Sequence, residues 1–547
     1  MQTMTVSEYI TKQLTIWGVK QIYGVAGDAI FPWLDVLGKQ QDIRLITTRH
    51  ESAAAMMASA EAKLTHQVAV CIGTSGPGTV NLLNGLADAH MDRVPVVAIT
   101  GQVDTKWIGS YYKQYLQQQE IVAPISHYSA EVVNPDQIGE VLQRAFVTSK
   151  ERKGVSHISI CKDVLAKSTE LSLSAQLPRC ARHIQPDRVE VSGALEAIKQ
   201  ARKPLVLLGS GARQAQSWLL PFAERLGAGI LLSLGAKGCV PDGHPLVLGG
   251  IGEGGSKAAI QALTEADTLI ILGATWFPKS FIPQHLSLIQ VDENPEAIHP
   301  GSNLHSVIAN LQDVLPIWLR KLQISQHNHH FEWQSRIKRL HEEYFQETEL
   351  RSINATQVGI KPEQLIRIIQ QSVEHDAIIA VDTGEHTIWF NRMFRAENQL
   401  PIFSGKWRTM GYGLPAGIAA KIVHPNRQVV VLVGDGGLQM NLAELMTLKQ
   451  YARGVTVIVA NNHILGLEAV KMQAEGFTPF GLELENPDFA LLAKACGLNS
   501  YKVESVDQLQ QKLALALQSG ETTILDVFCA NPTLEPRKKD FILQMKA

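Results

Sequence analysis

The sequence predicts an α/β protein of three units, each a mostly parallel sheet flanked by helices, and three observations carry this. Short apolar runs rich in valine and isoleucine recur along the whole chain. They alternate with longer amphipathic stretches, the pattern that a parallel sheet covered by helices on both faces requires. Two polar stretches interrupt the alternation, and 547 residues are too many for a single core.

In the first unit, placed at 1–165, strands are expected at 68–72, 94–100 and 157–160, and a run at 44–48 leads into an alanine-rich helix at 52–62. The chain turns polar from 163 to 189, with Pro178 and Pro186. A second unit at 185–322 follows, with strands at 205–209, 268–273 and 287–292. Residues 323–356 form a charged, helix-like stretch spiked with aromatics. The third unit, 355–547, carries strands at 377–382, 429–434, 455–461 and 523–528. No internal repeat or low-complexity tract stands out.

Composition narrows the function. Hydrophobic residues at 45% and charged residues at 19% describe a globular chain with large cores and exclude a disordered or fibrous one. Fifty basic against 52 acidic side chains leave a formal charge of −2, which gives no bulk attraction to nucleic acid or anionic membrane, so a small-molecule ligand is expected. The six cysteines show no CxxC pairing and several lie in apolar runs, which reads as reduced, buried thiols in a cytoplasmic protein. The residues from Met1 to Val6 show no basic region followed by an apolar core and no apolar run reaches about 18 residues, so neither secretion nor a membrane span is expected. His327, His329 and His330 lie in the polar stretch without a cysteine or carboxylate at ligand spacing and read as solvated histidines.

Chemistry concentrates in three places. The run from Val429 delivers Gly434-Asp435-Gly436-Gly437 at a strand end, and the next apolar run delivers Asn461-Asn462. Two hard oxygen donors, Asp435 and the side chain of Asn462, then stand at the carboxyl ends of neighbouring parallel strands and suit a Mg²⁺ bridging a diphosphate. The three glycines let backbone amides approach phosphate oxygens. Arg49-His50-Glu51 puts a carboxylate at a strand-to-helix junction, with no second histidine for a zinc HExxH site. Gly73-Thr74-Ser75-Gly76-Pro77-Gly78 can bring backbone and hydroxyl groups to a ligand, but it is neither a P-loop nor a nucleophile elbow.

Taken with Asn81 and Gly85, the segment from Asp92 to Pro95, and Thr409-Met410-Gly411-Tyr412-Gly413-Leu414-Pro415, these motifs stand in the order seen in thiamine-diphosphate enzymes. Over essentially its full length the chain resembles the pyruvate oxidase and acetolactate synthase family. The resemblance implies a pyrimidine-binding first unit, a Rossmann-like middle unit and a diphosphate-binding third unit. It implies that Asp435, Asn462 and the backbone carbonyl of Ile464 hold Mg²⁺ on thiamine diphosphate. Gly434, Gly436 and Gly437 would meet the diphosphate, while Gly27, Ser75 and Asn81 line the cofactor. Met410 would prop the thiamine in its bent form, and Glu51 would bond the pyrimidine N1′. With Gln114, these two make the expected catalytic set. Glu51 and Asp435 would come from different subunits, so a homodimer is the smallest active unit and a homotetramer is expected.

The same resemblance implies decarboxylation of a 2-oxo acid, pyruvate in the first instance, with oxidation of the enamine through FAD. The alternative is a carboligase of the acetolactate synthase type, joining two 2-oxo acids. A non-catalytic paralogue would have lost Glu51 or Asp435, and both are present. FAD-binding positions are matched by Gly211 and Arg213 after the strand at 205–209, by the segments at 236–238, 249–255 and 273–275, and by Asp292. The family's usual FQE reads Lys113-Gln114-Tyr115 here, and the pocket segment that begins at Leu467 puts charges, Glu468 and Lys471, where pyruvate-specific relatives are apolar. Lys113 and Lys471 either face solvent on loops or face a substrate with a second anionic group. Past Pro532 no amphipathic membrane-binding tail is evident.

Overall fold

In the computed structural model of the protein, the described residues are 3–177, 185–252, 254–275, 277–301, 303–322, 331–353 and 359–531. Three six-stranded sheets are present, and every neighbouring pair of strands within them is parallel. The first sheet runs across Arg44–Thr47, Gln21–Gly24, Ala69–Gly73, Val96–Gln102, Val155–Cys161 and Tyr128–Val132. The third runs across Leu400–Phe403, Ile378–Val381, Val429–Gly434, Val455–Asn461, Thr523–Phe528 and Asn499–Val503. Counted in chain order, both follow 2-1-3-4-6-5, a structural repeat with no counterpart visible in the residues. The middle sheet follows 3-2-1-4-5-6, the doubly wound order of dinucleotide-binding units, across Val247–Gly250, Gly229–Leu232, Pro204–Leu208, Thr268–Leu272, Ser287–Asp292 and Leu304–Ile308.

Strands expected at 287–292, 429–434, 455–461 and 523–528 occur with those bounds, and the others shift by a residue or two. The strands not anticipated are mostly sheet edges such as Tyr128–Val132 and Asn499–Val503, whose partly exposed, polar residues break the apolar run that marks a central strand. The 323–356 stretch contains a 23-residue helix, Phe331–Ile353. Its Trp333, Ile337, Leu340 and Tyr344 join the core of the middle unit, and the Trp333 indole donates to the Pro204 carbonyl at 3.0 Å.

The first and third units share one core. Helices Glu51–Thr65 and Pro77–Met91 pack with Gly413–Val423 in a single cluster of buried alanine, leucine, methionine and valine side chains. Small residues permit the approach: a methyl group on Gly85 would stand 2.5 Å from the Ala55 Cβ. Cys71, Cys161, Cys239 and Cys529 are buried free thiols, and Cys496 is half-buried. Pro178, Cys180, His327, His329, His330 and the segment from Pro532 lie outside the described residues. Among the described residues no helix is long and apolar enough to cross a membrane, and no cluster of histidine, cysteine and acidic side chains could hold a metal.

Helix Glu51–Thr65 also carries half-buried Glu61, whose Oε1 accepts from Gln21 Nε2 at 2.6 Å and whose buried Oε2 lies beside the Tyr23 hydroxyl. Burial pushes this carboxyl up to about 7. The folded state therefore holds a proton that the unfolded chain releases near 4.5, and stability contributed by this group falls as pH rises from about 4.5 to 7. Glu61→Gln is expected to raise the denaturation midpoint relative to the parent at pH 8 and to lose that advantage near pH 4, as denaturant titrations at the two pH values will test.

Candidate functional site

Parallel sheets bind ligands beyond the carboxyl ends of their strands, where the strand order reverses. In the first unit that point lies between Gln21–Gly24 and Ala69–Gly73. The loops that follow touch: a Cβ on Gly27 would stand 2.3 Å from the Thr74 Cβ, and the Ala29 amide donates to Thr74 Oγ1 at 3.3 Å. Ser75 is buried, and Gly76 takes φ +62° to open helix Pro77–Met91. Gln114 lays its own carbonyl across that turn, 2.8 Å from where a Gly76 Cβ would be.

Glu51 starts its helix directly after an extended His50, whose ring accepts from the Ser52 amide. Its carboxylate is buried, accepts from Asn81 Nδ2 at 2.9 Å, and lies 3.4 Å from where a Cβ on Gly78 would stand. Glu51, Asn81 and the 73–78 loop thus converge.

In the third unit the reversal lies between Ile378–Val381 and Val429–Gly434, and each of these strands ends in a buried aspartate, Asp382 and Asp435. Asp435 accepts from the Gly436 amide at 2.9 Å, the His463 amide at 2.8 Å and Asn486 Nδ2 at 2.8 Å. The 461–464 segment is thereby drawn against Asp435, with the Asn462 side chain accepting from the Ile464 amide. Asp382 accepts from the amides of Thr383, Gly411 and Tyr412, which fixes the turn carrying Met410. Burial pushes the Asp382 carboxyl up to about 7 against those bonds. The Met410 Cε comes within 3.2 Å of where a Gly436 Cβ would be, and Gly437 leaves room for Asp382 Oδ2 in the same way.

Two observations test whether a diphosphate and a divalent cation fit here. The donor set, one carboxylate and one amide oxygen, is of the hard kind that Mg²⁺ takes. Beside Gly434 lies the buried His386 ring, Cε1 and Nδ1 nearest; its Nε2 has no partner among the described residues, and burial lowers its pKa to about 4. An orphaned nitrogen against a glycine turn is what a bound polar group would satisfy. Asp382, His386 and Asn486 were not singled out in the sequence. Asp382 ends an expected strand and leads into Thr-Gly, the same signal that marked Asp435; Asn486 sits in a loop without one.

A cavity of about 980 Å³ opens at the reversal point of the middle sheet, between Pro204–Leu208 and Thr268–Leu272. Gly211, Arg213 and Asp292 all line it, as do Leu467, Glu468 and Lys471 from helix Gly466–Glu475 of the third unit. Gly209 and Gly273 face each other so closely that a Cβ on the first would stand 2.1 Å from the Gly273 carbonyl oxygen, leaving bare backbone at the wall. Arg213 donates to the carbonyls of Gly235 and Lys237. Asp292 accepts from the Asn294 amide at 2.9 Å and keeps a buried Oδ2 with no hydrogen-bond partner among the described residues, and burial raises its carboxyl to about 6. An unpaired acceptor at that strand end fits a ribose hydroxyl. Lys237 does not face the cavity; its ammonium is buried against Asp242 at 2.8 Å and the Asn391 carbonyl at 3.2 Å.

The remaining sequence candidates, Leu467 apart, keep to the surface. Lys113 is 70% exposed in its side chain and 4.0 Å from Asp28, and Gln114 is exposed beside it. Lys471 and Glu468 pair with each other at 3.1 Å on the cavity rim, each about half exposed. Leu467 packs on the core of the third unit. Deeper in the same cavity wall, Lys63 binds Asp88 and Asp92 at 2.7 Å each and donates to the Phe403 carbonyl, while Asp92 accepts from the amides of Gly405 and Lys406. This cluster ties the first unit to the loop that leads to Met410. Removing the cation leaves two carboxylates facing each other out of water, so Lys63→Met is expected to cost about 3–5 kcal/mol in denaturant unfolding.

Comparison with known proteins now gives these features a family. Residues 4–123 match the N-terminal TPP binding domain of thiamine pyrophosphate enzymes, 191–316 their central domain and 382–527 their C-terminal TPP binding domain. YdaP of Bacillus subtilis, by name a thiamine pyrophosphate-containing protein, is 33% identical over 542 residues, covering 98% of this chain and 94% of that one. The acetolactate synthase large subunit of Lactococcus lactis is 30% identical, with 95% and 92% covered. Pyruvate oxidase of Lactiplantibacillus plantarum is 29% identical, with 97% and 89% covered. With all three domains in order and full-length relatives at this level, the chain belongs to the thiamine pyrophosphate enzymes, among relatives named pyruvate oxidase and acetolactate synthase.

Proposed function

We propose that the protein decarboxylates a 2-oxo acid, pyruvate in the simplest case, with thiamine diphosphate and Mg²⁺, and passes the electrons to FAD as a pyruvate oxidase does. The observation that supports this best is the single cavity running from the Gly209–Gly273 turns of the middle unit to Leu467, three residues past the candidate metal ligand Ile464. A flavin held by Gly211, Arg213 and Asp292 and a 2-oxo acid near the Asp435 loop would share that space, which electron transfer between them requires.

Thiamine diphosphate, when bound, supplies the carbon nucleophile and the electron sink for decarboxylation. The chain's own part is placement. Asp435 and Asn462, with the Ile464 carbonyl, would hold Mg²⁺; Gly434, Gly436, Gly437 and His386 would receive the diphosphate. Met410, fixed through Asp382, would support the ring system, and Glu51, held by Asn81, would hold the proton at the pyrimidine N1′. Gly27 and Ser75 would line the same cofactor. Lys113 and Gln114 are exposed in one chain and would meet substrate in a homodimer, two of which would make a tetramer. The free, buried cysteines fit a cytoplasmic setting.

Purified protein is expected to show a flavin absorbance spectrum and, with pyruvate, to form acetate or acetyl phosphate while reducing an electron acceptor. Acetolactate as the main product would establish the carboligase reading instead, and a colourless protein would remove FAD. Asp435→Ala is expected to abolish thiamine diphosphate binding at ordinary Mg²⁺. Asn486→Ala, which takes a donor from Asp435 and also from Asn461 and leaves Gln439 without its acceptor, is expected to weaken Mg²⁺ by about 10- to 100-fold in calorimetric titration.

A further inference from the structure

We infer that Glu444 is a positioning residue for Glu51, an inference that rests on the acid–base reading of Glu51 given above. Glu444 is the first residue of helix Glu444–Tyr451 in the third unit and is fully buried. Its Oε1 accepts from the amides of Arg49 at 2.9 Å and His50 at 3.0 Å, and its Oε2 accepts from Thr447 Oγ1 at 2.6 Å. Arg49 and His50 are the two residues before Glu51, in the extended turn between strand Arg44–Thr47 and helix Glu51–Thr65. The same short helix supplies the Tyr451 hydroxyl to the Thr47 amide at 3.3 Å and Gln450 to the Arg49 guanidinium at 3.1 Å. A helix of one unit therefore grips three residues of another, Thr47, Arg49 and His50, immediately ahead of its candidate catalytic carboxylate.

The arrangement has a stated job. Two backbone amides aimed at one carboxylate oxygen leave the turn a single resting place, because charge-assisted bonds in a dry site are short and directional. Glu51 takes its position from that turn, and a displacement near 1 Å at a reacting group costs on the order of a hundredfold in rate. Glu444 touches no candidate cofactor position; it acts through backbone it holds.

Two variants separate reach from charge. Glu444→Gln keeps an oxygen at full length for both amides and lets its nitrogen donate to Thr447. Glu444→Asp keeps the charge but draws the acceptor back by about 1.5 Å. Each is compared with the parent by amide hydrogen exchange at Arg49 and His50, and by deuterium exchange at C2 of thiamine diphosphate in protein reconstituted with the cofactor and Mg²⁺. Glu444→Asp is expected to speed amide exchange at both residues and to slow C2 exchange by about tenfold or more, with Glu444→Gln within about twofold of the parent in both. Parent-like C2 exchange in the Asp variant, or slowed C2 exchange in the Gln variant with both amides still protected, would overturn the inference. Should the Asp variant fail to fold, the Gln variant decides by the same criterion. Glu51→Gln, run alongside, tells the two readings apart. Fast C2 exchange there removes Glu51 from the chemistry, and the role of Glu444 with it. Slow exchange there with unaffected Glu444 variants overturns only the role of Glu444.

Discussion

A parallel sheet buried on both faces can bind a ligand only at its strand ends, and that constraint organises this protein three times over. The central strands are apolar and covered; Val429 to Val433 has no measurable exposure. Each reversal of strand order parts two neighbouring loops and opens a crevice. Glu51, Ser75 and Asn81 stand around the first crevice, Gly211, Arg213 and Asp292 around the second, and Asp382, Asp435 and Asn462 around the third. The loops differ in chemistry because they alone are free to differ.

What fixes those loops is a set of buried or half-buried carboxylates that accept backbone amides. Asp382 holds the Met410 turn, Asp435 holds the 463 turn, Asp92 holds the 405–406 turn, and Glu444 holds the turn before Glu51. Burying an ionised group is costly, and burial raises the Asp382 and Glu444 carboxyls accordingly. Bonds from amides to a charged acceptor are worth about 1.5–3 kcal/mol each, so two or three of them offset much of that cost. Loops that would otherwise sample many conformations are left with one.

Central strands and the metal-loop motif were legible in the sequence because both are local. A run such as Val429-Val-Val-Leu-Val is apolar without alternation, which only a doubly covered strand tolerates, and Asp435 follows it directly. Edge strands and the partners of the site residues were not legible. Asn486 lies 51 residues from Asp435 and Glu444 lies 395 from Arg49, and no spacing within a segment reports a contact made by the fold. Lys237 shows the converse: its place between Ala236 and Gly238 suggested the flavin cleft, but Asp242 and the Asn391 carbonyl draw its ammonium away from it.

The shared strand order of the first and third units explains how one scaffold serves two tasks. Their helices form one continuous core, with Ala55 and Gly85 in near contact and Leu414, Ala416 and Ile418 packed against them. A rigid joint of this kind cannot let one unit move without the other, since its small side chains leave no slack to absorb a shift. Contacts that cross the joint therefore transmit position rather than merely adding area. Lys63 with Asp92 carries it from the first unit to the Met410 loop, and Glu444 carries it back from the third unit to the turn before Glu51. The two candidate centres are thus set by each other's unit, so a substitution that loosens either contact acts on chemistry it does not touch.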